Sequence, residues 1–217
     1  MAISNLSSGF RPGVCTSTTR PTSPYEGFLI YETDTNRVLV WDNAAWVMIA
    51  DTDQPPGLQH IKTQTIGSAV ASVTVSDAFS ADFDNYRIIV SGGSGSTAAT
   101  LQLQLGSSTS GYYAALATFA YSNGAFTGYG DNNSAQWTYA GASHTGGLSM
   151  DVVLYQPFAA IRTGYSTIGR TDTRTTGSGS FGQGFHDSAT SYSSFIISPN
   201  TGTMTGGTIR VYGFRNS

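Results

Sequence analysis

The sequence predicts an all-β protein, with a short N-terminal arm and a three-stranded meander followed by an antiparallel, jelly-roll-like β-sandwich. Three observations carry that reading. Only 11% of the 217 residues are charged, and Lys62 is the single lysine, too little for the polar faces of a helical bundle or coiled coil. Twelve tyrosines, eleven phenylalanines and three tryptophans supply more apolar area than a disordered Gly-, Ser- and Thr-rich chain carries. Where apolar residues recur, they alternate with a period of two and are bounded by Gly, Ser and Thr turns.

Residues 1–24 set small polar residues among Gly and Pro (Ser7-Ser8-Gly9, Arg11-Pro12-Gly13, Arg20-Pro21, Ser23-Pro24) with no sustained period, which reads as an extended arm. Residues 25–52 read as the meander: strands at Gly27 to Glu32, Val38 to Asp42 and Trp46 to Ala50, with Thr33-Asp34-Thr35-Asn36 as turn chemistry. These strands are apolar on both faces, and a unit of this size does not cover both alone. Cover must come from another chain or from the C-terminal domain; oligomerisation is the simpler solution, and Ile30, Tyr31, Val40, Trp41 and Trp46 are expected at the seam of a homotrimer.

Residues 53–60 read as a linker, because Pro55-Pro56 cannot donate to a ladder, and His60 falls at its end. Residues 61–217 form the expected sandwich. Alternation is clean in Leu101 to Leu105 and in Leu148 to Leu154, and strands are expected near 61–66, 69–75, 85–90, 100–105, 112–119, 135–139, 148–155, 164–169, 192–198 and 207–213. Gly141 to Gly147 and Thr173 to Gly184 read as exposed turns.

Charge and cysteine narrow the function classes. Residues 1–54 hold three arginines against six acids and the remainder is balanced, so no basic cluster points to nucleic acid. No apolar run reaches membrane-spanning length, and Met1 to Phe10 lacks the basic and apolar regions of a signal peptide; the expectation is a soluble, unprocessed chain without membrane insertion. The lone Cys15 has no intrachain partner and reads as an inert thiol.

Catalytic constellations are thin. His60, His144 and His186 are the only histidines, and His186-Asp187 would point to opposite faces of a strand. Ser94 and Ser178 sit in Gly-Ser-Gly turns without the strand–turn–helix setting of a nucleophile elbow. Asp131-Asn132-Asn133 lacks the carboxylates of a calcium loop, and nothing local singles out Asp131, Asp151, Asp172 or Asp187 as a glycosidase pair. No enzyme, cofactor or metal is expected. Aromatic residues beside Gly, Ser and Asn (Tyr112, Tyr113, Tyr121, Phe126, Tyr129, Trp137, Tyr139) suit binding of sugars or protein partners.

The stretch from Ser17 to Asp42, with Thr19-Arg20-Pro21, Gly27-Phe28-Leu29-Ile30-Tyr31-Glu32-Thr33-Asp34-Thr35 and a second strand ending at Trp41, closed by Ala45-Trp46-Val47, resembles a module of tailed-bacteriophage tail fibres and minor tail proteins. The chain's ending, Gly206 to Phe214, is similar more loosely to distal β-domains of such virion proteins. The resemblance implies a particle component, commonly trimeric, on the virion exterior. Its N-terminal part, here residues 1–24, would contact other virion proteins in tail or head, and its outer domain would face the host. A head fibre or capsid decoration protein has the same build; a polysaccharide-degrading enzyme fits less well, because no β-helix repeat is present. In that setting Tyr129, Asp131, Asn132, Asn133 and Trp137 are the expected host-glycan contacts, rings for stacking and Asn or Asp for hydroxyls.

Overall fold

The computed structural model describes residues 12–51, 57–171 and 177–215. The chain divides between Pro56 and Gly57 into two compact units.

The N-terminal unit is a four-stranded sheet, not three: β1 (Gly13–Cys15), β2 (Leu29–Glu32), β3 (Arg37–Trp41) and β4 (Trp46–Asp51) lie in chain order. The added strand comes from the expected arm. It pairs parallel with β2, Val14 opposite Tyr31, because the intervening segment brings the chain back to the same end. That return is held by the residues that carry the phage-module resemblance. The Arg20 guanidinium donates to the buried Glu32 carboxylate, and Thr35 Oγ1 donates to its other oxygen at 2.7 Å. Asp34 accepts from the Ser17 amide at 2.9 Å and the Ser17 hydroxyl at 2.6 Å, and the Thr33 amide donates to the Cys15 carbonyl. At the other hairpin Asp42 Oδ1 accepts from the amides of Ala44 and Ala45, while Asn43 takes the positive φ the tight turn demands.

The chain covers part of this sheet itself. Ile30 and its cross-strand partner Leu39 are buried within the single chain. Trp41 and Trp46 share that face by register, half-buried, their rings edge to face at 5.5 Å, and Phe28 adds its ring against Trp46. Tyr31 and Val40 lie on the opposite face, half-buried, with Tyr31 donating to Asn36. The side chains left open are on β4: Val47, Met48 and Ile49 are 42%, 53% and 56% exposed.

In the C-terminal unit the first strand, β5 (Leu58–Thr65), begins earlier than expected, so His60 belongs to it and not to a linker; residues 53–56 of the expected linker lie outside the described residues. Then come β6 (Val73–Val75), β7 (Phe83–Gly92), the two-residue β8 (Ser94–Gly95) and β9 (Ala99–Leu105). Next are β10 (Tyr112–Ala120), β11 (Phe126–Ser134), β12 (Trp137–His144) and β13 (Gly147–Tyr155). The chain ends through β14 (Thr163–Thr171), β15 (Ser178–His186), β16 (Phe195–Pro199), β17 (Met204–Thr205) and β18 (Thr208–Arg215).

Their pairing is that of a jelly roll. One sheet runs β5-β18-β7-β13 and the other β6-β16-β9-β12, all antiparallel, and the chain crosses between the two at every step except from β9 to β12. Tyr86, Ile88, Val90, Val152, Leu154, Ile209 and Val211 from the first meet Leu101, Leu103, Leu105, Phe195 and Ile197 from the second in one buried cluster. Two hairpins interrupt this scheme, β10–β11 after β9 and β14–β15 after β13. They join through β10 and β15 into a wing, β11-β10-β15-β14, attached by β14 to the second half of β13. Strands β11 and β15 are additions to the expected set, and most of the stretch expected as exposed turn from Gly177 onward belongs to β15; residues 172–176 lie outside the described residues.

The Arg20–Glu32 pair generates a directional prediction. Arg20→Met leaves a buried carboxylate unpaired and should destabilise the N-terminal sheet by roughly 3–5 kcal/mol, whereas Glu32→Gln strands an arginine that already reaches solvent and should cost less. Arg20, and after it Thr35, hold the Glu32 acidity below its usual value, so this stabilisation is complete above that value and is lost as pH falls through the depressed one. Hydrogen exchange of the β2 and β3 amides in the full chain measures both effects; equal costs for the two variants would contradict the assignment.

Candidate functional site

The wing and the jelly roll leave a groove between them. Its inner wall comes from β12 and β9, with Tyr139, Gly141 and Thr100, and its floor from one face of the wing, with Leu116, Thr118, Tyr129, Ser178 and Ser180. The cavity measures about 240 Å³. Register explains its lining. Leu116 lies opposite Tyr129 and Gly182, and Thr118 opposite Thr127 and Ser180, so these residues share one side of the wing. Ser180 in turn faces Gly169, where an added Cβ would stand 2.9 Å from the Ser180 hydroxyl oxygen. Small residues thus keep this face hollow opposite β12.

The five expected glycan contacts do not form one surface. Trp137 is fully buried: it stacks on Tyr165 at 4.4 Å, meets Tyr112 edge to face at 5.0 Å, and donates its indole N–H to the Tyr113 carbonyl. It is the plug between wing and jelly roll. Asp131 is buried and accepts from the Thr138 amide at 2.9 Å, which fixes the β11–β12 corner. Asn133 adopts a positive φ and accepts from the Gly111 amide. Asn132 is exposed beside them. Tyr129 alone of the five lines the groove, 45% exposed, with its ring 5.1 Å from that of Tyr139 and tilted by 35°. Of the remaining groove residues, Tyr139 is one of the expected aromatic set, while Thr100, Thr118, Ser178 and Ser180 carry no sequence signal for this role. Hydroxyl residues at alternate strand positions are too common to draw notice without the tertiary partner.

His186 ends β15 in the core, its ring against Tyr112 at 4.3 Å and Tyr192 at 5.4 Å. Its Nε2 lies 2.9 Å from Ser108 Oγ and 3.0 Å from the Ser110 carbonyl, and Nδ1 faces the Tyr192 hydroxyl at 3.5 Å. The neighbouring carboxylate, Asp187, points away and accepts from Arg162 at 2.7 Å, so it does not orient the imidazole. Enclosure by rings fits a structural histidine. Burial also pushes the Tyr112 hydroxyl up to about 12 and keeps the Cys15 thiol above its ordinary value, both in their protonated forms near neutrality. Among the described residues no group of three or more His, Cys, Asp or Glu is placed to hold a metal ion.

These placements set two expected outcomes. Burial holds His186 below its usual value of 6.5, so as pH drops below 6.5 the unfolded chain takes up a proton that the fold resists. Stability should fall as pH drops through 6.5, with a slope no steeper than about 1.4 kcal/mol per pH unit, and level off below the depressed value. Denaturant titrations from pH 8 to pH 5 should show that slope in the wild type and lose it in His186→Gln. Separately, Trp137→Ala should cost about 3–5 kcal/mol of jelly-roll stability while Tyr129→Ala stays within about 1 kcal/mol, checked by the same titrations at pH 8.

No protein-family model matches the chain, and no curated protein matches it. Among solved structures, infectious bursal disease virus of the Gt strain aligns over 83% of the chain with 11% identity and a TM-score of 0.18, and that of the Gx strain over 83% with 11% identity and a TM-score of 0.15. The aligned regions span 45% and 43% of those viral chains, less than half in each case. Similarity of this size is too slight to carry an argument about fold or function.

Proposed function

We propose that the chain is a structural component of a bacteriophage virion, a trimeric tail-fibre or adhesin-type protein whose N-terminal unit assembles on the particle and whose jelly-roll unit is turned outward to the host. The observation that carries this reading is the N-terminal unit. The residues of the phage-type module are the ones that hold it together: Arg20 of Thr-Arg-Pro is clasped by Glu32, and Asp34 of the Glu-Thr-Asp-Thr run accepts from Ser17. The open apolar row on β4, an edge strand, supports assembly, since a sheet edge carrying Val47, Met48 and Ile49 favours association of copies.

The test is sedimentation of the purified full chain followed by particle analysis. The wild type should sediment at about three times 22.8 kDa. Met48→Asp with Ile49→Asp should shift it toward the monomer while the jelly-roll unit stays folded by circular dichroism. Tagged chain should label the exterior of purified particles at the tail. A stable micromolar monomer contradicts the trimer, and label confined to the head would favour a decoration role.

A further inference from the structure

We propose that the groove between the wing and the jelly roll is a binding subsite for one neutral pyranose ring of a saccharide. The lining carries this by its chemistry. Tyr129 and Tyr139 pack against each other at one end, 5.1 Å between ring centroids, and Tyr129 leaves ring surface open to solvent. Thr100, Thr118, Ser178 and Ser180 place hydroxyls along the remaining walls, and Leu116 is the lone aliphatic side chain among the described lining residues. None of the described lining residues carries a charge, which suits a neutral ligand, and so many hydroxyls disfavour a lipid tail. A pyranose matches both halves, because its C–H face packs on aromatic rings while its rim donates and accepts hydrogen bonds.

The wing geometry protects the groove: an added Cβ at Gly169 would press on Ser180, and one at Gly182 would come 2.7 Å from the Leu116 side chain. Both glycines preserve the positions of groove residues.

That such a sugar belongs to a cell-surface polysaccharide rests on the virion reading above; the subsite itself does not. The experiment is saturation-transfer NMR on the full wild-type chain with neutral mono- and oligosaccharides of glucose, galactose, rhamnose and N-acetylglucosamine at millimolar concentration. At least one should bind. Tyr129→Ala and, separately, Ser180→Ala should each weaken that binding at least tenfold, with Ser180→Ala leaving thermal stability close to that of the wild type. Tyr121→Ala, an exposed tyrosine outside the groove, should leave binding intact. An oligosaccharide preferred tenfold over its monomer assigns the ligand to a polysaccharide chain, and equal affinity assigns it to free sugar. Absence of binding across the panel, or binding that survives both groove variants, overturns the subsite. Sugar binding by a chain that labels no virion would uphold the subsite and sink the virion reading, so the two fail separately.

Discussion

Strand β13 is the constraint on which the C-terminal unit depends. Along one edge it pairs with a single neighbour, β7, from Leu148 opposite Gly92 to Tyr155 opposite Asn85. Along the other it must serve two: Gly147 to Met150 pair with β12, and Val152 to Tyr155 with β14. A strand has one row of hydrogen-bonding groups on that side, so the two partners have to diverge where they meet. That divergence folds β12 across the core as the edge of the second sheet and sends β14 outward as the root of the wing. Trp137 and Tyr165 fill the wedge that opens, and farther from it, where Gly169, Ser178 and Ser180 replace large side chains, the wedge is left as the groove. The Arg87–Asp151 pair, with a 2.8 Å bond from Nε, clamps β7 to β13 at the branch itself.

The same strand is among the easiest to read in the sequence. Leu148, Met150, Val152 and Leu154 alternate without a break, and all four are buried; Leu101, Leu103 and Leu105 behave likewise. The strands that escape such a reading, β11 (FTGYGDNNS) and β15 (SGSFGQGFH), set isolated aromatics among glycine and small polar residues. Glycine reads as a turn when local sequence is all there is. Here Gly184 faces Ala114 across the ladder, where an added Cβ would stand 2.0 Å from the Tyr113 carbonyl oxygen, so the residue that looks like a breaker allows the two strands to approach. Proximity of two hairpins far apart in the chain leaves no mark on local periodicity.

Site residues are less legible than strands for a related reason. Aromatic rings among Gly and Asn suggest an exposed binding loop, and the tertiary partner decides which of them that describes. Trp137 opens a strand that crosses the wing and so is enclosed, while Tyr129, eight residues earlier on the outermost strand, is not. In the N-terminal unit the motif marks the turns and the strands, yet the ion pair that joins them spans 12 residues, and no spacing rule links Arg20 to Glu32. The segment between β1 and β2 is no tether: its Arg20 and Phe28 pack back onto the Ile30 face of the sheet.

Parity along β10 and β15 then separates two surfaces of opposite character on one thin wing. Even-numbered Leu116, Thr118, Ser178 and Ser180 look into the groove. By register, odd-numbered Phe119 and Phe181 lie on the outward side with Ile168 and Phe126, and the Phe119 ring stacks on Phe181 at 5.7 Å and meets Phe126 at 5.3 Å. These four side chains are exposed and cross all four strands of the wing. A slip of one residue in the β10–β15 pairing would drive phenylalanines into the groove and hydroxyls outward, so the nine-residue register from Tyr112 opposite His186 to Ala120 opposite Ser178 is what maintains the cavity. Burial of Tyr112 and His186 at one end of that ladder, against Trp137, makes the slip costly. The core histidine therefore matters to the groove through register, from the far end of the same strand pair.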